Sequence, residues 1–463
     1  MKIRITIESD KKHTRLIHGK MEITGIFKRE GYMIQAVIMP HPPIARELVG
    51  RGEEQKIQST LDAYRTASRR IAEYAPETIV VISPHNIFFR DAFYVSPGET
   101  YTDSLSRFGA SADRISISYD TELRDELVTL MEAENIPVVQ AERFAKEPDH
   151  GSLIPLLYVS EVYTNYRVVR IAPSMLSDET LIEVGRLIER AAAHLGRKVT
   201  LIGSGDLSHK LLAEGPYGYV KEGPEFDRRV TEMMRTGNLK AFREFTPEFR
   251  DRCAECGLPG FIMLSGALEN YHIQPDLLSY EGPFGVGYAI CTFTAEDACV
   301  RLAKDSLEKY IRSGNRLSRP NDLPVWMTKQ RAGVFVSLHK HGDLRGCIGT
   351  IMPWSDCVAD EIIALAVEAG TRDPRFFPVR AEELADLEYH VDVLSTPEKA
   401  DKTQLDAKRY GVIVTNGSRR GLLLPDLEGV DTPGQQIAIA LQKAGIRSDE
   451  PYQLERFTVE RHT

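Results

Sequence analysis

Ile34-Gln35-Ala36-Val37-Ile38-Met39 runs directly into Pro40-His41-Pro42-Pro43. A short apolar run stops at a histidine held between prolines. The pattern returns at Thr78-Ile79-Val80-Val81-Ile82-Ser83-Pro84-His85, and again at Val199-Thr200-Leu201-Ile202-Gly203 followed by Ser204-Gly205-Asp206-Leu207-Ser208-His209. Each run reads as a strand with a proton- or metal-competent side chain just past its carboxyl end. In open α/β sheets that rim is where ligands bind. Three such strand ends predict one site assembled from distant parts of the chain.

Strands and helices alternate outward from these runs. Ile57, Leu61, Tyr64, Ala67, Ile71 and Tyr74 form an apolar stripe at helical spacing, as do Leu181, Val184, Leu187, Ile188 and Ala191, with Gly196 as a stop. Residues 166–172 and 286–293 read as further strands, and 260–268 as a helix. This order predicts an α/β domain with a largely parallel central sheet over residues 33–294. From 295 the pattern changes to a smaller α+β domain reaching 463. Its strands at 333–338 and 344–349 flank a His341-Gly342-Asp343 turn, and Asn416-Gly417 marks a second hairpin. Residues 1–32 are basic and weakly periodic, and read as a tail or an upstream extension if Met33 is the natural start.

Length and composition set the class. A chain of 463 residues holds two or three domains, and 42% hydrophobic with 27% charged residues is ordinary for a globular protein. A net charge of −9 gives no electrostatic footprint for nucleic acid. No apolar run is long enough for a membrane helix, and six scattered cysteines read as reduced thiols. The expected location is the cytoplasm, with neither nucleic acid nor membrane as partner.

Taken singly, each candidate has an ordinary reading. His41 and His85 could be packed histidines. Asp149 could cap the next helix and leave His150 exposed. Asp206 and His209, three apart, could share a helical turn or belong to a helix cap. Taken together they suit a metal, for which Arg252-Cys253-Ala254-Glu255-Cys256-Gly257 offers a third ligand. Glu255 would complete a two-histidine, one-carboxylate set suited to Fe(II), whereas Cys256 would make a softer site nearer copper or zinc. The lone Cys253/Cys256 spacing supports neither a structural zinc site nor a thioredoxin-like pair. Gly203-Ser204-Gly205 lacks the third glycine of a dinucleotide loop, and no Ser-hydrolase elbow occurs.

With these motifs in order, residues 34–293 resemble the class III extradiol ring-cleavage dioxygenase (LigB-like) superfamily, which includes the Memo proteins. The resemblance implies an iron(II)-dependent oxidoreductase acting with O2 on a catechol-like substrate. It places the first two iron ligands on His41 and His85, and the acid–base histidine on His209. His150 becomes a second substrate-side histidine, with Asp206 beside them. The dioxygenases' glutamate ligand falls on Glu255, and the Memo cysteine on Cys256.

Leu344-Arg345-Gly346-Cys347-Ile348-Gly349-Thr350 is the second notable run. Cys347 between glycines reads either as a small buried hydrophobe where backbones meet or as a reactive thiol. With Arg375-Phe376 and Gly421-Leu422-Leu423-Leu424-Pro425, it makes residues 295–463 similar to the domain named after the AMME-syndrome candidate protein. Proteins joining both halves resemble one component of a three-part system, which implies a radical-SAM protein as partner. An alternative follows: a metal-binding accessory protein without ring-cleavage activity.

Overall fold

The structure, a computed structural model, describes residues 34–462 apart from 322 and 428, with backbone pairs at 9–10, 13–14 and 16–17. Apart from those three pairs, the segment 1–32 expected as a tail lies outside the described residues. The chain divides between Glu296 and Asp297 into two compact units.

The first unit is built on eight strands: β1 (Ile34–Met39), β2 (Thr78–Ile82), β3 (Phe93–Val95), β4 (Val138–Val139), β5 (Arg167–Ala172), β6 (Val199–Ser204), β7 (Tyr271–Glu281) and β8 (Tyr288–Asp297). Their order across the sheet is β7-β8-β1-β6-β2-β5-β3-β4. The central four, β1-β6-β2-β5, are parallel throughout, which is the largely parallel α/β sheet expected from the sequence. Every residue of β1, β2 and β6 is buried, because helices cover both faces and no polar alternation survives.

Alternate residues of these strands enter two different cores. Ile34, Ala36 and Ile38 pack with α4 (Asp178–Leu195), α5 (Glu222–Thr236) and α6 (Leu258–Ala267). Val37 and Met39 pack with α1 (Gln58–Tyr74) and α3 (His150–Ser160) on the other side. Register then fixes the rim. Met39 stands opposite Ser204, and Gly203 opposite Ile82, so the chain leaves β1, β6 and β2 at one level. His41, Asp206 and His85 follow within three residues of those exits.

One sequence expectation fails here. Residues 205–208 form no helical turn. Their amide groups are committed elsewhere: Gly205 N–H to Met39 O, Leu207 N–H to Gly287 O, and Ser208 N–H to the Asp227 carboxylate. A helix would require the same donors.

The second unit is α+β. The antiparallel strands β9 (Val334–Lys340), β10 (Asp343–Gly349) and β11 (Leu387–Leu394) lie under α7 (Ala298–Ser313) and α8 (Val358–Thr371), joined by Leu302, Val336, Leu338, Ile362 and Leu365. A second sheet holds β12 (Gly411–Asn416), β13 (Arg419–Leu423) and β14 (Gln453–Phe457) against α9 (Pro433–Ala444). Phe335, Leu394, Ile413, Leu422 and Phe457 knit the two sheets of this unit together. The β9–β10 turn takes positive φ at His341 and Gly342, 53° and 84°, as a two-residue hairpin requires.

Helices α4 and α6 approach backbone to backbone. A Cβ on Gly185 would lie 1.9 Å from Met263 O, and one on Gly266 would lie 2.2 Å from Ile182 O. Gly185→Val must force these helices apart. We expect a loss of about 1–3 kcal/mol from overpacking, measured by urea unfolding of the full chain. An unchanged midpoint would show that the helices part freely.

Candidate metal centre

Three imidazoles meet at the rim. The ring centroids of His41 and His85 are 4.6 Å apart, those of His41 and His150 5.4 Å, and His85 stacks on His150 at 4.1 Å. A nitrogen from each lies within 4.8 Å of the other two, the spacing that one metal ion needs. His41 and His85 come from the β1 and β2 exits, and His150 is the first residue of α3.

Burial sets their protonation. His41 is held well below the ordinary imidazole range by burial first and then by the neighbouring His85. Burial also lowers His85, and burial with His85 and His41 brings His150 down to about 3. Neutral imidazole is the metal-binding form. The tautomer of His41 follows from its partners. Ser204 Oγ donates to Gly151 O at 2.5 Å, so toward His41 Nδ1, 2.9 Å away, the same oxygen accepts. Nδ1 therefore carries the hydrogen and Nε2 keeps its lone pair for a metal.

The two candidates for a further ligand separate. Cys256 Sγ lies 3.6 Å from His41 Nε2. Neither Glu255 nor Cys256 belongs to the set of three clustered donors. Glu255 Oε2 accepts the N–H of Leu258 at 2.7 Å, at the start of α6, where free amides attract a carboxylate. Burial raises Glu255 to about 7. The backbone also explains the choice. Ala254 has φ 52°, which ends the preceding helix, and Gly257 packs on Gly205 so tightly that a Cβ on Gly205 would sit 2.1 Å from Gly257 Cα. This contact seats Cys256 against the β6 exit.

Asp206 braces the same loop: its Oδ1 accepts the His41 N–H at 2.9 Å, and its own N–H points to Cys256 Sγ at 3.3 Å. Burial pushes its carboxyl up to about 6. His209 lies near enough to act electrostatically on both His41 and Asp206. Its Nδ1 donates to Ala254 O, and Tyr217 stands edge-on to the ring at 5.2 Å. In the neutral tautomer Nε2 is then the acceptor. Cys347 lies in the other unit and takes no part in this cluster.

Sequence reasoning missed the scaffold of the centre. Asp149 caps α3 through Ser152 N–H as expected, but it does more. It accepts from Ser83 Oγ at 2.7 Å and pairs with Arg170 on β5 at 2.9 Å, with both side chains almost wholly buried. Burial would raise the Asp149 carboxyl, but Arg170, Ser152 and Ser83 together hold it at about 2. Arg170 also lies 3.8 Å over the Tyr101 ring. Gly151 is equally constrained, since a Cβ there would meet Ser83 Oγ at 2.4 Å and His85 Cδ2 at 3.4 Å. An arginine inside an apolar strand was the available signal, because such a charge must be paired.

Comparison with known proteins identifies both domains. Residues 35–291 match the family model for the catalytic LigB subunit of aromatic ring-opening dioxygenase, and residues 300–462 match the AMMECR1 model. A protein of Clostridium acetobutylicum is 38% identical over 461 residues, covering 92% of this chain and 98% of its own length. A Thermotoga maritima protein is 50% identical over 170 residues, 36% of this chain and 98% of that protein. Among solved structures, an uncharacterized Escherichia coli K12 protein aligns at 17% identity over 57% of this chain and 99% of its own, with TM-score 0.37. One from Pyrococcus horikoshii aligns at 32% identity over 35% of this chain and 88% of its own, with TM-score 0.33. No helix among the described residues is long and apolar enough to cross a membrane.

Arg170→Met leaves Asp149 buried without its cation, and we expect a loss of about 3–5 kcal/mol near neutral pH. A carboxylate held at about 2 contributes stability above its unfolded value, about 3.9, and loses it as pH falls through about 2. The gap between wild type and variant must therefore be widest above about pH 4 and shrink in acid. Urea unfolding at stepped pH measures it; a gap independent of pH would mean that the pair is not the cause.

Proposed function

The chain belongs to the LigB family of aromatic ring-opening dioxygenases, with an AMMECR1 domain after it, and from that premise we propose that the first unit is a ferrous-iron enzyme opening a catechol-like ring with O2. The family is metal-dependent. The observation that carries the reading is the cluster of three neutral imidazoles within ligand reach of one point. That donor set fits iron, copper or zinc. His41, His85 and, in place of its expected substrate-side role, His150 would hold the ion, with Cys256 at its edge.

Bound there, ferrous iron would supply Lewis acidity and redox chemistry toward dioxygen. The chain's own groups do the rest. Ala254 O fixes the His209 ring, so that Nε2 is the atom left to take a proton from a substrate hydroxyl and to return one. Asp206 fixes the backbone of His41, and Ser204 fixes its ring. Tyr217, 58% exposed beside His209, offers an aromatic wall for a flat ring.

Cys256 beside His41 Nε2 favours a second reading, in which a softer ion is held without ring cleavage. One experiment separates the two. Protein prepared without oxygen and loaded with Fe(II) should bind about one ion per chain and consume O2 with some member of a catechol panel. His41→Ala and His85→Ala should lose the metal. His209→Gln should keep it while turnover falls about 10²–10⁴-fold. Tight copper or zinc with no oxygen uptake across the panel would overturn ring cleavage in favour of the second reading.

A further inference from the structure

In the second unit the first helix and the last described strand meet at one spot. Asp297 caps α7: its Oδ1 accepts the N–H of Cys299 at 2.8 Å and of Val300 at 2.9 Å. The cap fixes the carboxylate and turns Oδ2 toward His462, whose Nδ1 lies 2.8 Å away. His462 ends β15 (Val459–His462), which pairs antiparallel with β11. Val391, directly opposite His462, enters the core beneath α7 and α8, so the imidazole lies on that same face. Cys299 comes in from the first turn of α7. One donor atom from each of Asp297, Cys299 and His462 lies within 4.8 Å of the other two.

The ordinary accounts of this cluster fall short. A hydrogen bond between Asp297 and His462 accounts for two of the groups and leaves the thiol unexplained. It also leaves His462 Nε2, on a side chain 6% exposed, with no hydrogen-bond partner among the described residues. Glu460 Oε1 is 3.8 Å from it, too far for a hydrogen bond. A buried nitrogen in that state calls for an explanation, and a bound ion is one. A thiol–imidazole–carboxylate nucleophile fails on access. Cys299 is 1% exposed and His462 7%, so no substrate carbonyl reaches the sulfur. An ion is small enough to enter past Asp297, whose side chain is 16% exposed.

We propose that Asp297, Cys299 and His462 form a second metal site, which holds zinc as a structural staple of the second unit. Zinc takes carboxylate, thiolate and imidazole ligands alike. The thiol tells against magnesium and calcium, and the carboxylate against cuprous copper. Met327 Sδ, 4.0 Å from Cys299 Sγ and wholly buried, adds a thioether on the side away from water. On binding, Cys299 releases its thiol proton to solvent as the sulfur bonds the ion. The ion would tie the start of α7 to the end of β15, 165 positions further along the chain. Closing so long a loop restricts the unfolded chain, and an ion bound only by the folded state stabilises it.

The test strips the full-length protein with a chelator, reloads it with zinc alone and counts bound metal after gel filtration. Cys299→Ser and His462→Gln should each remove about one ion per chain, or weaken it at least about 100-fold, while His41→Ala leaves that ion in place. The two units are thereby read separately: zinc lost in His41→Ala alone belongs to the first unit and overturns this site without touching the reading of the other. Zinc held equally by the wild type, Cys299→Ser and His462→Gln overturns it as well. Should either variant fail to fold, crystals of the zinc-loaded wild type decide by anomalous scattering at the zinc edge. A peak among Asp297, Cys299 and His462 supports the site, and no peak there overturns it.

Discussion

A single buried ion pair organises the candidate metal centre. Asp149 and Arg170 meet inside the first unit, cut off from water, and each alone would be very costly there. Three elements depend on the pair. Arg170 belongs to β5, Asp149 begins α3 and so sets His150, and Ser83, held by the same carboxylate, sets the turn to His85. Moving Asp149 would disturb both histidines at once. Tyr101 covers the guanidinium, and Ser152 Oγ donates to Oδ2, the carboxylate oxygen that Arg170 also holds, so no part of either charge is left bare.

The anion is kept one layer behind the imidazoles. This arrangement lets Asp149 stay ionised while burial keeps His41, His85 and His150 neutral. A carboxylate in direct contact with the rings would favour imidazolium and compete with a metal for their lone pairs. The position of Glu255 follows the same logic. Its charge goes to the open amides of a helix start, and the thiol of Cys256, a softer donor, is left facing His41.

Much of this was written in the sequence. A fully buried parallel strand reads as an unbroken apolar run, so β1, β2 and β6 announced themselves, and the polar residues after them could only sit on the rim. The AMMECR1-like half was legible in its hairpins, where His341, Gly342 and Gly417 take positive φ. What stayed hidden was set by contacts far apart in the chain. Nothing local says that the amides of 205–208 bond to Met39, Gly287 and Asp227 in place of one another. Nothing local tells Glu255 from Cys256, because that depends on Gly205 meeting Gly257.

The glycines show why the candidate metal centre has so little freedom. At Gly151, Gly205 and Gly257 the obstacle to a side chain is a neighbouring atom, and none of the three needs positive φ. Gly151 lets Ser83 and His85 close over the start of α3, and the other two let the β6 exit touch the segment carrying Cys256. Each contact brings a donor to the rim from a different stretch of chain. The distance of the thiol from His41 Nε2 and the closeness of the three rings are therefore settled by backbone packing, before any ion arrives. A centre built this way pays its ordering cost during folding, which leaves the free energy of metal binding for coordination.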